Sequence, residues 1–103
     1  MDLLILVEAS QEIESAYDRY ESKRSGLGSD FELCLESALD RISLFSESSP
    51  KRFHDIRVAI LPHFPYGVYY KIYKDLVIVL AVFHFKQNPK TIKKIVSSRR
   101  KTA

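Results

Sequence analysis

Apolar residues recur at different spacings along the chain, and each spacing predicts a different element. Residues 3–7 form a continuous apolar run rich in strand formers, which predicts a strand buried on both faces. From Ile13 the apolar positions move to Ala16, Tyr17 and Tyr20, the set that lines one face of a helix. Ser10 is placed to cap that helix, with Glu12 and Glu14 in its first turn, where the helix dipole favours negative charge. Ser25-Gly26-Leu27-Gly28 breaks the pattern, and Ser29-Asp30-Phe31-Glu32 has capping-box spacing. Phe31, Leu35, Ala38, Leu39 and Ile42 then resume the helical spacing. Two amphipathic helices joined by a short turn form a hairpin. Their outward stripe of Glu32, Glu36 and Asp40 reads as a solvated face, because no histidine accompanies it to suggest a metal.

Beyond Pro50 the pattern changes to strands. Residues 57–61 are short and β-branched at Val58 and Ile60. Pro62 and Pro65 cannot donate ladder hydrogen bonds, so residues 62–67 are expected to turn, with Gly67 free to adopt an unusual φ. Residues 68–73 and 76–85 flank Lys74-Asp75, which reads as a two-residue hairpin turn. That turn sets Tyr73 opposite Leu76, Lys71 opposite Ile78 and Tyr69 opposite Leu80, with Pro65 beside His84. One face then carries Val68, Tyr70, Ile72, Val77, Val79, Ala81 and Phe83 and should pack on the helices. The other carries Tyr69, Lys71, Tyr73, His84 and Lys86 among aliphatic residues and reads as a surface to be covered. Asn88-Pro89 has the form of an N-cap followed by proline, so Ile92, Ile95 and Val96 predict a short terminal helix and residues 97–103 a frayed basic tail. The expected fold class is α+β: an antiparallel sheet with an N-terminal helical hairpin on one face, in the order β-α-α-β-β-β.

At 103 residues the chain is expected to form one domain, residues 1–103. A hydrophobic share of 46% with 28% charged residues excludes a disordered chain. The lone cysteine, Cys34, has no internal partner and sits at a core position of the second helix. With no basic segment before residues 3–7, and no apolar run near the ~20 residues a bilayer requires, a cytoplasmic protein without membrane contact is expected. Charge is divided along the chain: residues 1–50 hold four basic and eleven acidic side chains, residues 51–103 twelve basic and two acidic. The second half is therefore suited to a polyanion, either a phosphate backbone or an acidic protein segment.

Several local features occur together in a recognisable order: Ala9 before the first helix, Gly26-Leu27-Gly28 followed by Phe31, Pro50 after the second helix, and Arg57 opening a strand. Phe64-Pro65-Tyr66-Gly67-Val68-Tyr69-Tyr70 and Ala81-Val82-Phe83-His84 with Asn88-Pro89 complete the set. Across roughly residues 3–89 the chain resembles the RelE/ParE toxin superfamily. The resemblance implies the toxin of a type II toxin–antitoxin module, also called a plasmid stabilisation system, held inactive by a cognate antitoxin and using no cofactor or metal.

Two mechanisms divide that superfamily. RelE-like members cleave mRNA on the ribosome as metal-independent endoribonucleases; ParE-like members poison DNA gyrase and are not hydrolases. By resemblance to the former, Arg57 would hold phosphate, His84 would move protons and Lys86 would stabilise developing charge. Tyr66, Tyr69, Lys71, Lys90 and Lys93 form the expected binding surface for antitoxin or target. Two features oppose catalysis. A simple meander separates Arg57 from His84 by about five residues of ~3.3 Å along the sheet, and Phe85 lacks the hydroxyl of the tyrosine that some ribonuclease members use. His84 can alternatively be a structural residue of the 62–67 turn, with His63 a turn residue and His54 a loop residue. A third reading is a non-toxic or decayed member that only binds antitoxin or nucleic acid.

Overall fold

The computed structural model describes residues 1–103. Its elements are β1 (Asp2–Ile5), α1 (Val7–Lys23), α2 (Leu27–Leu44), β2 (Lys51–Phe53), β3 (Ile56–Ile60), β4 (Tyr66–Tyr73), β5 (Leu76–His84) and α3 (Pro89–Thr102). The strands form one sheet in the order β1-β5-β4-β3-β2. The fold is α+β, as expected, but the sheet is mixed: β1 pairs parallel with β5 and every other pair is antiparallel. The expected strand order also lacked the short β2.

The α1–α2 hairpin packs on one face through Ala9, Ala16, Phe31, Leu35, Ala38 and Ile42, which meet Val68, Tyr70, Val77, Val79 and Val82. Phe31 and Tyr70 are fully buried; burying a side chain of this size contributes about 1.5–3 kcal/mol. The helix starts differ from expectation. α1 begins at Val7, ahead of Ser10, and has no side-chain cap. At the start of α2 the Glu21 carboxylate of α1 accepts from the Gly26 and Gly28 N–H groups, each at 2.9 Å, displacing the capping box expected at Ser29. Those bonds hold the Glu21 carboxyl below its ordinary pKa. Gly26 has φ +90, and a Cβ at Gly28 would lie 2.8 Å from the Tyr17 carbonyl oxygen, so this turn needs both glycines.

The second face is covered by the chain's own C-terminal helix. Ile92 and Val96 of α3 join Ile56, Val58, Tyr69, Ile78, Leu80, Ala81 and Phe83 in a second core. Residues 97–103 are therefore not a frayed tail: α3 continues to Thr102. Its last turns are tied down by charge. Arg99 donates to Leu80 O at 2.9 Å and pairs with Glu12 of α1, Arg100 bonds Asp55, and the Lys71 ammonium donates to the carbonyls of Arg100 and Ala103 at 3.0 and 2.8 Å.

A single bulge explains where the hairpin register departs from expectation. Tyr73↔Leu76 and Lys71↔Ile78 pair as expected, but Tyr69 stands opposite Ala81 and Tyr70 opposite Val79, so Leu80 is the extra residue. Past it every β5 side chain changes face. Val82 joins the helical-hairpin core, Ala81 and Phe83 turn toward α3, and His84 pairs with Tyr66 in place of Pro65. The Leu80 carbonyl and Val82 N–H lie beyond the end of β1 and are taken by Arg99 and by Glu12 Oε1.

Candidate functional site at the end of the sheet

The register places Arg57 and His84 at opposite ends of one sheet face. Arg57 pairs with Tyr70 and His84 with Tyr66, which is four residues or about 13 Å along β4, across two strand spacings of about 4.8 Å each. The packed side chains of Val68, Tyr70 and Val82 fill the face between them. The Arg57 guanidinium donates to the Glu47 and Ser49 carbonyls at 2.9 and 2.6 Å. It thereby fastens the loop after α2 and is kept away from His84 and Lys86, so the three candidate catalytic residues do not form one constellation.

The five candidate binding residues are also divided. Tyr69 is 4% exposed beneath α3, and the half of the surface built on Tyr69 and Lys71 is corrected: α3 occupies it. Lys71 is 8% exposed and caps the C-terminal end of α3, where a cation meets the negative end of the helix dipole. Lys90 and Lys93 stay exposed on α3, with Lys93 5.8 Å above the Phe53 ring. Tyr66 is buried and stacks edge-on against Phe31 and His84, at 5.2 and 5.0 Å between ring centroids. It anchors an aromatic cluster that includes Tyr20 and Phe64. Gly67 lies in β4 without a positive φ; a side chain there would meet the Phe85 ring and Val58 at 3.0 Å, so space and not backbone conformation requires glycine.

Two adjoining clefts of about 350 and 290 Å³ open at this end and share Arg19, Tyr66, His84 and Gln87. Tyr20, Lys23 and Lys86 complete the first; the second runs along α1 past Glu8 to Glu12 and Arg99. His84 Nδ1 accepts the Lys86 backbone N–H at 2.9 Å. The neutral ring must then carry its proton on Nε2, an assignment made from that bond. Partial burial, together with the charges of Lys86, Arg19 and Lys23, pushes the imidazole pKa below its ordinary value. Near neutrality His84 is therefore an uncharged N–H donor. Burial raises the pKa of the Tyr66 phenol, with the nearby Arg19 charge opposing. Arg19, Lys23 and Gln87 were not singled out from the sequence, although Arg19 and Lys23 are the only basic residues of α1 and stand four apart on it.

The sequence pattern described as "ParE toxin of type II toxin-antitoxin system, parDE" matches residues 3–89. The chain belongs to the ParE toxin family. It is a toxin component of the type II toxin–antitoxin class within the RelE/ParE superfamily. No curated protein sequence matches it. Its fold is similar to a chain of the structure titled "Chromosomal ParDE TA system from P. aeruginosa", with a TM-score of 0.63 and 12% identity, covering 82% of this chain and 95% of the other. Arg57 is thus held apart from His84 and Lys86, the other two residues that resemblance to the RelE-like branch would make catalytic. No helix is long and apolar enough to cross a membrane.

Proposed function

We propose that this ParE-family toxin acts by binding its target rather than by cleaving RNA, that DNA gyrase is that target, and that a cognate antitoxin neutralises it. The observation that carries the reading is the separation of Arg57, bonded to the carbonyls of Glu47 and Ser49, from His84 and Lys86 at the far end of the sheet. Cleavage through a ribose 2′-hydroxyl requires a proton acceptor, a proton donor and a cation around one phosphate. His84 is poorly disposed for the first role. Its Nδ1 is occupied by the Lys86 N–H, and freeing Nε2 to accept a proton would place two N–H groups against each other. Membership of the ParE family supports the same direction.

The test is induced expression followed by separate measurements of DNA-damage signalling and protein synthesis, with purified toxin added to a gyrase cleavage assay and to ribosome-dependent mRNA cleavage. Damage signalling ahead of any fall in translation, with accumulated gyrase–DNA cleavage complexes, is the expected result. Cut mRNA without gyrase trapping would return the protein to the ribonuclease branch. Harmless expression would make it a binding module only. Co-expression of a cognate antitoxin is expected to restore growth.

A further inference from the structure

One polar group, on a residue that lines both clefts, is used by nothing in the fold. The Tyr66 hydroxyl is covered from solvent and has no hydrogen-bond partner, in a side chain only 2% exposed. Buried hydroxyls ordinarily find a partner, so one left unpaired beside an open cleft marks a place where a ligand can supply it. Around it, Arg19 and Lys23 stand one turn apart on α1 and Lys86 follows β5. None of the three forms an ion pair, and all are close enough to lower the pKa of His84. Unneutralised like charges converging on one cleft repel each other, and an anion among them relieves that repulsion.

We propose that this cleft is a phosphate-binding site in which Arg19, Lys23 and Lys86 supply the charge, and Tyr66, His84 Nε2 and Gln87 the neutral donors. A phosphate group suits it better than a carboxylate. Phosphate presents acceptor oxygens in several directions, whereas a carboxylate has two oxygens in one plane and a single charge. Carboxylates of the chain itself do not fill the site: Glu12 is held by Arg99, Glu21 by the Gly26 and Gly28 amides, and Glu8 lines only the adjoining cleft. A nucleic-acid backbone and a free nucleotide both carry the required group, and the site stands whether or not gyrase is the target.

Nuclear magnetic resonance titration of the intact protein tests this, with inorganic phosphate, 5′-AMP and a DNA tetranucleotide lacking terminal phosphates added in turn. The His84 ring and the Gln87 side-chain amide are expected to shift. The His84 pKa is expected to rise on binding, because the added negative charge offsets Arg19, Lys23 and Lys86 while Glu8, Glu12 and Arg99 on the adjoining wall are unchanged. Tighter binding of the tetranucleotide assigns the backbone as the source and tighter 5′-AMP a free nucleotide; either supports the site. Arg19→Ala and Lys86→Ala should each weaken binding about five- to tenfold, and Tyr66→Phe about threefold, with unchanged thermal melting. Lys94→Ala, on the outer face of α3, should have no effect. Absence of shifts at His84 and Gln87 overturns the proposal. So does an equal loss in Lys94→Ala, which would mean diffuse attraction, or displacement of phosphate by a glutamate-rich peptide, which would mean a carboxylate site.

Discussion

The two ends of the sheet hold similar positive side chains in opposite conditions. At the end near the C-terminal turn of α3, Arg57 bonds the Glu47 and Ser49 carbonyls, Lys71 bonds the Arg100 and Ala103 carbonyls, and Arg100 bonds Asp55. At the other end Arg19, Lys23 and Lys86 meet no carboxylate and surround a neutral histidine. The first group is committed to the fold; the second is available to something else. A cation's residue type therefore says little about its role until its partners are known.

Substitutions that separate structural from recognition charges should break this contrast if it is wrong. The largest effect is expected for Arg99→Ala, which strands a Glu12 carboxylate that is 20% exposed and unpairs the Leu80 carbonyl. A loss of about 2–3 kcal/mol is expected in urea unfolding. Lys71→Met should follow at about 1–2 kcal/mol, with faster amide exchange confined to the last turns of α3, since charged hydrogen bonds to two carbonyls are removed while the aliphatic bulk is kept. Arg57→Ala is expected to lose about 1 kcal/mol and yet retain growth inhibition when induced; loss of toxicity in a folded Arg57→Ala protein would place Arg57 with the recognition residues after all. Arg19→Ala and Lys86→Ala should change stability by no more than about 0.5 kcal/mol while reducing toxicity.

The smallest expected effect is a pH dependence. His84 titrates below its ordinary value in the folded protein, so the unfolded chain takes up the proton first. Stability should decline as pH falls through about 6.5 and level off below the folded value. Urea midpoints at a series of pH values should show this step, and His84→Gln should remove it. Asp55 gives a separate, more acidic step. Burial raises its pKa, but the Arg100 hydrogen bond and charge outweigh that and hold it low, so its contribution is lost as pH falls toward and through the depressed value.

Much of the contrast could not be read in advance, for identifiable reasons. The helical hairpin was legible because Phe31, Leu35, Ala38 and Ile42 alternate with charged residues and so carry both period and phase. The central strand was not: residues 76–83 are all apolar, and a run without polar interruptions cannot reveal that Leu80 is an extra residue or which side chains change face after it. The terminal helix was expected but its reach was not. Arg99 and Arg100 look solvated in sequence, and their partners Glu12 and Asp55 lie 87 and 45 positions away. Of the candidate site, His84 and Lys86 were visible as polar residues ending an apolar strand. Arg19 and Lys23 left a signal in their spacing on α1, whereas the unpaired Tyr66 hydroxyl left none, because pairing is a property of the folded surroundings.

The Glu12–Arg99 pair has one further consequence. β1 stops at Ile5, and without those two side chains the Leu80 carbonyl and Val82 N–H would form part of a bare strand margin. Such margins recruit strands from other molecules. One half of the seal comes from α1 and the other from the last turns of α3, so during synthesis the gap stays open until those turns have emerged. A truncation that removes only those last turns would thus release a protein with its helical-hairpin core in place and a self-association site exposed.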